Sequence, residues 1–291
     1  MIAVTGASGY IGGRVIVHLR AAGTEAVALV RCPPANGGPA ADGQRPRRYA
    51  LAEPLPGDVL EGVETLVHAA WDLSARGSAI RAVNVRGSLP LLDGIAARGG
   101  RTVLVSSLAA FAGARSLYGQ AKLELERAVL DRGGIVLRPG VVFGVDAGGL
   151  FGAMAAALAR RPVAPLIGGG WQRLFVTHDR HLCELIAAIV AGRVVAERPV
   201  FAAHEVPTTL RAIAGQLAES HGRRLKVLPL PRSLAYLGLR VAESAGLSLP
   251  FRSDSLLSLA NPAPLDALAA LQRSPVWFPP LSPELWRPAG Q

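Results

Sequence analysis

The segment Thr5-Gly6-Ala7-Ser8-Gly9-Tyr10-Ile11-Gly12 lies between a short apolar run, Ile2–Val4, and a helical pattern over Gly12–Ala22. Three glycines at this spacing are expected about 0.4 times by chance in a chain with 33 Gly among 291 residues. Spacing therefore decides nothing; the strand before and the helix after decide. Gly6 and Gly9 suit a tight turn whose backbone approaches a pyrophosphate, and Gly12 suits close packing of the helix on the sheet. The helix N-terminus adds free N–H groups and a positive dipole end. The turn residues Gly6, Ser8, Gly9, Tyr10, Ile11 and Gly12 are the expected dinucleotide-phosphate contacts.

Outward from this turn, apolar runs alternate with helical patterns. Strands are expected at Ile2–Val4, Ala26–Val30, weakly at Tyr49–Leu51, then at Thr65–His68, Thr102–Val105 and Ile135–Leu137. Helices are expected at Ala79–Ala97 and Leu117–Asp131, and a Pro- and Gly-rich loop at Cys32–Pro46. Such alternation builds an α/β doubly wound parallel sheet covered on both faces. Past Gly144 the pattern changes. Phe151–Arg160 reads as a helix, Leu174–Thr177 as a strand returning to the sheet, Asp179–Val190 as a helix and Val200–Ala202 as a strand. The proline-rich remainder reads as most of a smaller second lobe. Trp171, Tyr236, Phe251 and Trp277 are assigned to its core rather than to a pocket.

The acid that would bind a ribose 2′-hydroxyl at the tip of the second strand is missing; Leu29-Val30-Arg31 stands there. Arg31 suits a 2′-phosphate, which favours NADP over NAD. Arg47 and Arg48 are weaker alternatives. The predicted organisation is an NADP-binding domain over 1–143, with 173–202 returning to it, and a substrate-binding lobe from 144–172 and 203–291.

Tyr118-Gly119-Gln120-Ala121-Lys122 places a phenol and an ammonium at i and i+4, on one helix face. With 4 Tyr and 2 Lys in the chain, such a pair arises by chance about 0.03 times. Tyr118 is the expected acid/base, with Lys122 lowering its pKa. Ser106-Ser107 ends the fifth strand, where ligands meet an open α/β sheet.

These residues resemble the short-chain dehydrogenase/reductase superfamily, in its extended NAD(P)-dependent epimerase/dehydratase branch. The resemblance rests on Thr5–Gly12, His68-Ala69-Ala70, Asn84-Val85-Arg86-Gly87, Val105-Ser106-Ser107, Tyr118–Lys122, Arg138–Gly144 and Val176–Asp179, and covers Ile2 to about Val190. It implies a Rossmann fold in which Tyr118 is the acid/base and Lys122 holds the nicotinamide ribose. Ser107 polarises the substrate, with Ser106 as alternative. Ala69, Ala70, Pro139 and Gly140 line the cofactor, and Asn84 supports the site. The chain departs from the family's dehydratases, with Leu108 and Ala109 where those carry Asp-Glu. It departs from many nucleotide-sugar epimerases, with Val141 where those carry Asn.

The expected function is NADP-dependent hydride transfer between nicotinamide and a small-molecule carbonyl, alcohol or sugar. The alternatives are a nucleotide-sugar epimerase using transient oxidation and a non-catalytic NADP-sensing or accessory protein. The family also implies a possible homodimer through the Ala79–Ala97 and Leu117–Asp131 helices. Net charge is +10, but the arginines are scattered and lack aromatic interleaving, so nucleic acid is not expected as a partner. Two cysteines without ligand spacing predict no metal and a reduced, cytoplasmic setting. No leader and no transmembrane segment are expected, since Ile2 already begins a strand and the apolar runs are short.

Overall fold

The computed structural model describes residues 1–33, 45–244 and 253–286. Most of the predicted Cys32–Pro46 loop, and Phe251, lie outside them. In chain order the elements begin β1 (Ile2–Thr5), α1 (Tyr10–Ala21), β2 (Ala26–Val30), β3 (Arg47–Arg48), β4 (Thr65–His68), α2 (Ala79–Asn84) and α3 (Leu89–Ala96). They continue β5 (Arg101–Val105), α4 (Leu117–Leu130), β6 (Ile135–Pro139), β7 (Val141–Phe143), α5 (Gly149–Arg160), β8 (Val163–Ile167), β9 (Arg173–Leu174), β10 (Val176–His178) and α6 (Asp179–Val190). The last are β11 (Val200–Ala202), β12 (Thr208–Thr209), α7 (Leu210–Glu219), β13 (Lys226–Leu230), α8 (Arg232–Ser244), α9 (Ser253–Ala260), α10 (Leu265–Ala269) and β14 (Gln272–Arg273).

Eight strands form one sheet in the order β14-β11-β6-β5-β4-β1-β2-β3, and every pairing is parallel. The inner strands are continuous apolar runs because both faces are covered. On one face Val4, Val67, Val103 and Val105 pack with Val15 and Leu19 of α1 and with Leu182, Ile186 and Ile189 of α6. On the other, Ala3, Leu66, Leu104 and Val136 pack with Leu91, Leu92 and Ile95 of α3 and with Leu125 and Val129 of α4. Strand order reverses between β1 and β4, which opens a crevice at their C-terminal ends. A separate apolar cluster gathers Phe143, Phe151, Leu166, Ile213, Leu217 and Trp286.

Several local expectations are corrected. The third strand is Arg47–Arg48, just before the predicted Tyr49–Leu51; Tyr49 is instead a core residue. The Ala79–Ala97 helix is broken into α2, a 3-10 turn at Arg86–Ser88, and α3. Gly87 lies so close to Ala52 that a Cβ there would touch its backbone nitrogen, and Pro90 supplies no N–H to continue the ladder. The Leu174–Thr177 stretch does not join the sheet. Its two halves pair elsewhere, β9 with β12 and β10 with β7, and the sheet is extended instead by β11 and then β14.

Trp171 and Trp277 are about two-thirds exposed and Tyr236 more than one-third exposed, so none of the three fills the core. Trp171 stacks under the Arg211 guanidinium, 5.2 Å from the ring centroid. Trp277 edges a cleft of about 260 Å³ shared with Phe201 and His204. An aromatic that keeps water on one face and a cation or cleft on the other is hard to tell from a core aromatic by sequence.

Candidate active site

The glycine turn leaves β1 at Gly6, whose φ of 67° favours glycine, and a Cβ there would stand 2.9 Å from the Ala70 backbone. Gly12 serves the turn more than the sheet: a Cβ on it would collide with the Gly6 carbonyl. Helix α1 follows Gly9, its N-cap, with no side-chain cap and no acidic residue in its first turn. Its positive end therefore faces the crevice between β1 and β4 uncompensated. Ala69 and Ala70 lie against the turn, their N–H groups both donating to Thr5 Oγ1 at 3.1 Å. This cradle has the shape and polarity for the pyrophosphate of a nicotinamide dinucleotide.

A buried polar chain fixes the crevice. With its two acceptor contacts taken by Ala69 and Ala70, Thr5 donates its hydroxyl proton to His68 Nδ1 at 2.8 Å. His68 Nε2 then donates to Ser88 Oγ at 3.0 Å, and Ser88 donates to the Asn84 carbonyl at 2.8 Å. This order requires neutral His68 with its proton on Nε2. Burial, with the Lys122 charge adding to it, pushes His68 down to about 3. Asn84 brackets Asp72, accepting from its N–H at 2.6 Å and donating to its carbonyl at 3.2 Å. The loop after β4 is thereby held beside the site.

Arg31 is exposed immediately after β2, close enough to Asp72 to favour that carboxylate. Arg47 and Arg48 are committed elsewhere. Arg47 donates to the Asp58, Val59 and Glu61 carbonyls, and Arg48 pairs with Glu53 at 2.6 Å. Tyr10 turns its hydroxyl away from the turn and donates to Asp179 Oδ2 at 2.6 Å. It ties α1 to the N-terminus of α6.

The predicted proton-transfer residues meet at the ends of β5 and α4. The two serines are not equivalent. Ser106 is buried and donates to Glu126 Oε1 at 2.5 Å. Glu126 is also gripped by Arg138, at 2.9 Å and 3.1 Å from Nε and 2.5 Å from Nη2. Ser107 is half-buried; its Oγ accepts the Ala109 N–H at 3.2 Å, and its side chain is within hydrogen-bonding reach of the Tyr118 phenol. Pro139 helps place it, since its carbonyl accepts from Leu108 at 2.9 Å. Gly140 is required at the β6–β7 junction, where a Cβ would strike the Phe175 carbonyl.

Tyr118 opens α4. Asp254 of α9 receives the Leu117 N–H at 2.7 Å and the Tyr118 N–H at 3.0 Å. Ser116 caps Gly119 at 3.1 Å and accepts from Ser258 at 2.8 Å. A carboxylate on two free N–H groups at a helix N-terminus is favoured by geometry and dipole. Helix α9 thus grips the turn that carries Tyr118. Sequence offered no sign of this, because the partner is 136 residues away.

Trp71 was also not foreseen. Its ring meets Tyr118 edge-on at 5.3 Å between centroids, and Lys122 Nζ stands over it at 4.2 Å. The available signal was an aromatic directly after His68-Ala69-Ala70, at the C-terminal end of a parallel strand.

The expected tuning of Tyr118 by Lys122 is overturned. Desolvation raises the Tyr118 pKa, with the Ser107 side chain opposing and the Glu126 charge adding to the rise. Lys122 donates to the Val105 carbonyl at 2.9 Å and lies 6.0 Å from the Tyr118 centroid. Burial pushes Lys122 itself down to about 7, with Glu126 opposing, so near neutrality it carries only part of a charge.

That shift has a pH signature. The unfolded Lys122 titrates near 10.5 and the folded one near 7. Between these values the unfolded chain binds the extra proton, so this group's contribution to stability rises with pH across the window. Below about 7 both forms are charged and the burial penalty is complete. The melting temperature of Lys122→Met minus that of the wild type is therefore expected to fall from about pH 6 to about pH 9. A flat difference across parallel melts would contradict the shift.

Among the described residues there is no cluster able to hold a metal ion and no helix long and apolar enough to cross a membrane. Cys32 is exposed, Cys183 is buried, and both are free thiols.

A parallel sheet with a glycine cradle at its switch point, and Ser, Tyr and Lys gathered beside it, defines a Rossmann-type nicotinamide-dinucleotide enzyme. The model of the NAD dependent epimerase/dehydratase family matches residues 2–191, and the chain belongs to that family. A curated relative, "Ceramide reductase" of Caulobacter vibrioides (strain NA1000 / CB15N), is 30% identical over 180 residues, 57% of this chain and 54% of the relative. The chain thus matches about half the length of that relative. Among solved structures, MoeE5 in complex with UDP-glucose and NAD has a TM-score of 0.67 at 22% identity, covering 79% of this chain and 85% of that one. The UDP-glucose 4-epimerase of Thermus thermophilus, in complex with NAD, has a TM-score of 0.61 at 19% identity over 79% and 86%. The DesIV double mutant (dTDP-glucose 4,6-dehydratase) of Streptomyces venezuelae has 0.65 at 20% over 93% and 95%. At these identities the structures speak for the fold.

Proposed function

We propose that the protein is an NADP-dependent oxidoreductase interconverting a carbonyl and an alcohol on a small-molecule substrate. The observation that carries this reading is the division of labour between the two serines. Glu126 takes Ser106 into the core and leaves Ser107 beside Tyr118. A bound nicotinamide dinucleotide supplies the hydride donor or acceptor. Gly6, Ser8, Gly9, Tyr10, Ile11 and Gly12 would hold its pyrophosphate end through the turn, with Ala69 and Ala70 along the crevice wall. Pro139 and Gly140 would lie toward the nicotinamide end and Lys122 would bind the ribose.

Tyr118 donates its phenolic proton to the oxygen that becomes the alcohol, and recovers a proton when the reaction runs in reverse. Ser107 hydrogen-bonds the same oxygen and fixes it against Tyr118. The raised Tyr118 pKa keeps its phenol protonated near neutral pH, the form that donates to a developing alkoxide. Trp71 walls the site and keeps water from Lys122 and Tyr118.

The curated relative's name adds a lipid carbonyl to the substrates worth testing. The departures at Leu108, Ala109 and Val141 speak against dehydration and against nucleotide-sugar chemistry. The test is to supply NADPH with long-chain keto-lipids, simple ketones and UDP-sugars, following nicotinamide absorbance and product. Ketone-dependent consumption of NADPH is expected. Retained NAD with sugar interconversion and no net redox turnover would instead favour the epimerase, and inertness toward every carbonyl would favour a sensing role.

Arg31 is the expected 2′-phosphate partner. Arg31→Asp should shift the NADP/NAD ratio of kcat/KM toward NAD by about tenfold or more, since loss of one charge-assisted contact is worth about 1.5–3 kcal/mol. An unchanged ratio in paired kinetics would remove Arg31 from the account.

A further inference from the structure

Strand β13 and helix α8 present an apolar face to solvent where folded chains usually hide one. On β13 Lys226, Leu228, Pro229 and Leu230 are exposed, while Val227 packs against the apolar cluster around Phe143 and Phe151. Leu228 is 54% and Leu230 36% exposed. Through Pro231 the strand runs directly into α8, where Leu234 and Leu237 are 63% and 60% exposed. They stand at i and i+3, on one helix face. Residues 223–244, to the end of α8, contain Arg223, Arg224, Lys226, Arg232 and Arg240 against one acidic residue, Glu243.

We propose that β13 and α8 form a peripheral docking surface for an anionic lipid bilayer. A helix with leucines on one side and arginines flanking them lies in the interface plane, its leucines in the acyl boundary and its cations among the headgroups. The anionic surface attracts each nearby basic side chain. A second copy of this chain fits less well, because a two-fold contact would face five cations with five more. Nucleic acid would engage the cations and leave the leucines wet.

The surface also adjoins the site. Helix α8 packs on α9, which carries the Asp254 that caps Leu117 and Tyr118. A bilayer against α8 would lie near the helix bearing Tyr118. The docking proposal stands without the reading of that site.

The experiment is sedimentation of the full chain with vesicles of phosphatidylcholine, pure or mixed with phosphatidylglycerol, at low and physiological salt. Binding is expected to the mixed vesicles and to weaken with salt. Arg232→Ser with Arg240→Ser should cost about thirtyfold in affinity for mixed vesicles, from two lost basic contacts. Leu234→Ser with Leu237→Ser should cost at least about tenfold, with melting temperature and NADPH affinity unchanged. Failure of the wild type to bind mixed vesicles overturns the proposal. So does binding indifferent to both pairs of substitutions, or a wild-type dimer that the leucine substitutions convert to monomer.

Discussion

Tyr118→Phe is expected to lower turnover by about 10²–10⁴-fold, the usual share of one positioned acid/base. The ring would still meet Trp71 edge-on and the backbone N–H would still bond Asp254, since neither contact uses the hydroxyl. Cofactor affinity and melting temperature should therefore stay close to the wild-type values. Removing the hydroxyl also removes an interaction made in the transition state, so kcat and kcat/KM should fall together. Steady-state kinetics with a reducible ketone, beside NADPH titration, separates the two readouts. Turnover within a few-fold of wild type would sink the assignment of Tyr118.

The largest effect on stability is expected at Glu126. Its carboxylate is 1% exposed and holds both the Arg138 guanidinium and the Ser106 hydroxyl. Glu126→Ala leaves a buried cation and a buried hydroxyl without their acceptor, a loss of about 3–5 kcal/mol. That is a large fraction of the ~5–15 kcal/mol that holds a typical domain together. Replacing both partners, Glu126→Leu with Arg138→Met, removes the unpaired charge along with its partner. The double variant should be more stable than Glu126→Ala. Urea denaturation of the three proteins measures this. A single-variant loss under about 1 kcal/mol would mean that the pair behaves like a surface salt bridge.

The two effects are connected. Glu126 sits four residues beyond Lys122 on α4, and its charge bears on Lys122 and Tyr118. The same carboxylate withdraws Ser106 from the crevice. One buried ion pair thus orders the helix that carries the reacting groups and distinguishes two adjacent serines that are chemically identical.

The turn, the Tyr118–Lys122 pair and the strand–helix alternation were legible in the sequence because each is written in local spacing. Glycine at 6, 9 and 12 has few physical uses after a strand, and a phenol and ammonium four residues apart share a helix face in any fold that makes the helix. Those features sufficed for a parallel α/β sheet and for the family. Arg31 could be singled out for the same reason, by its place at the tip of a strand.

Tertiary structure alone decided the rest, because the deciding partners are far apart in sequence. Which serine faces the crevice depended on Glu126 and Arg138 meeting in the core. The direction of the Tyr118 shift depended on burial, with the Glu126 charge adding to it, and sequence shows neither desolvation nor which charges meet in the core. The splitting of 173–178 between two small ribbons, the grip of Asp254 on Leu117 and Tyr118, and the exposed leucines of β13 and α8 all follow from how the chain beyond Gly144 packs. The chemistry available to this chain was set by local spacing. The protonation, access and surroundings of that chemistry were set by contacts between segments that sequence order keeps apart.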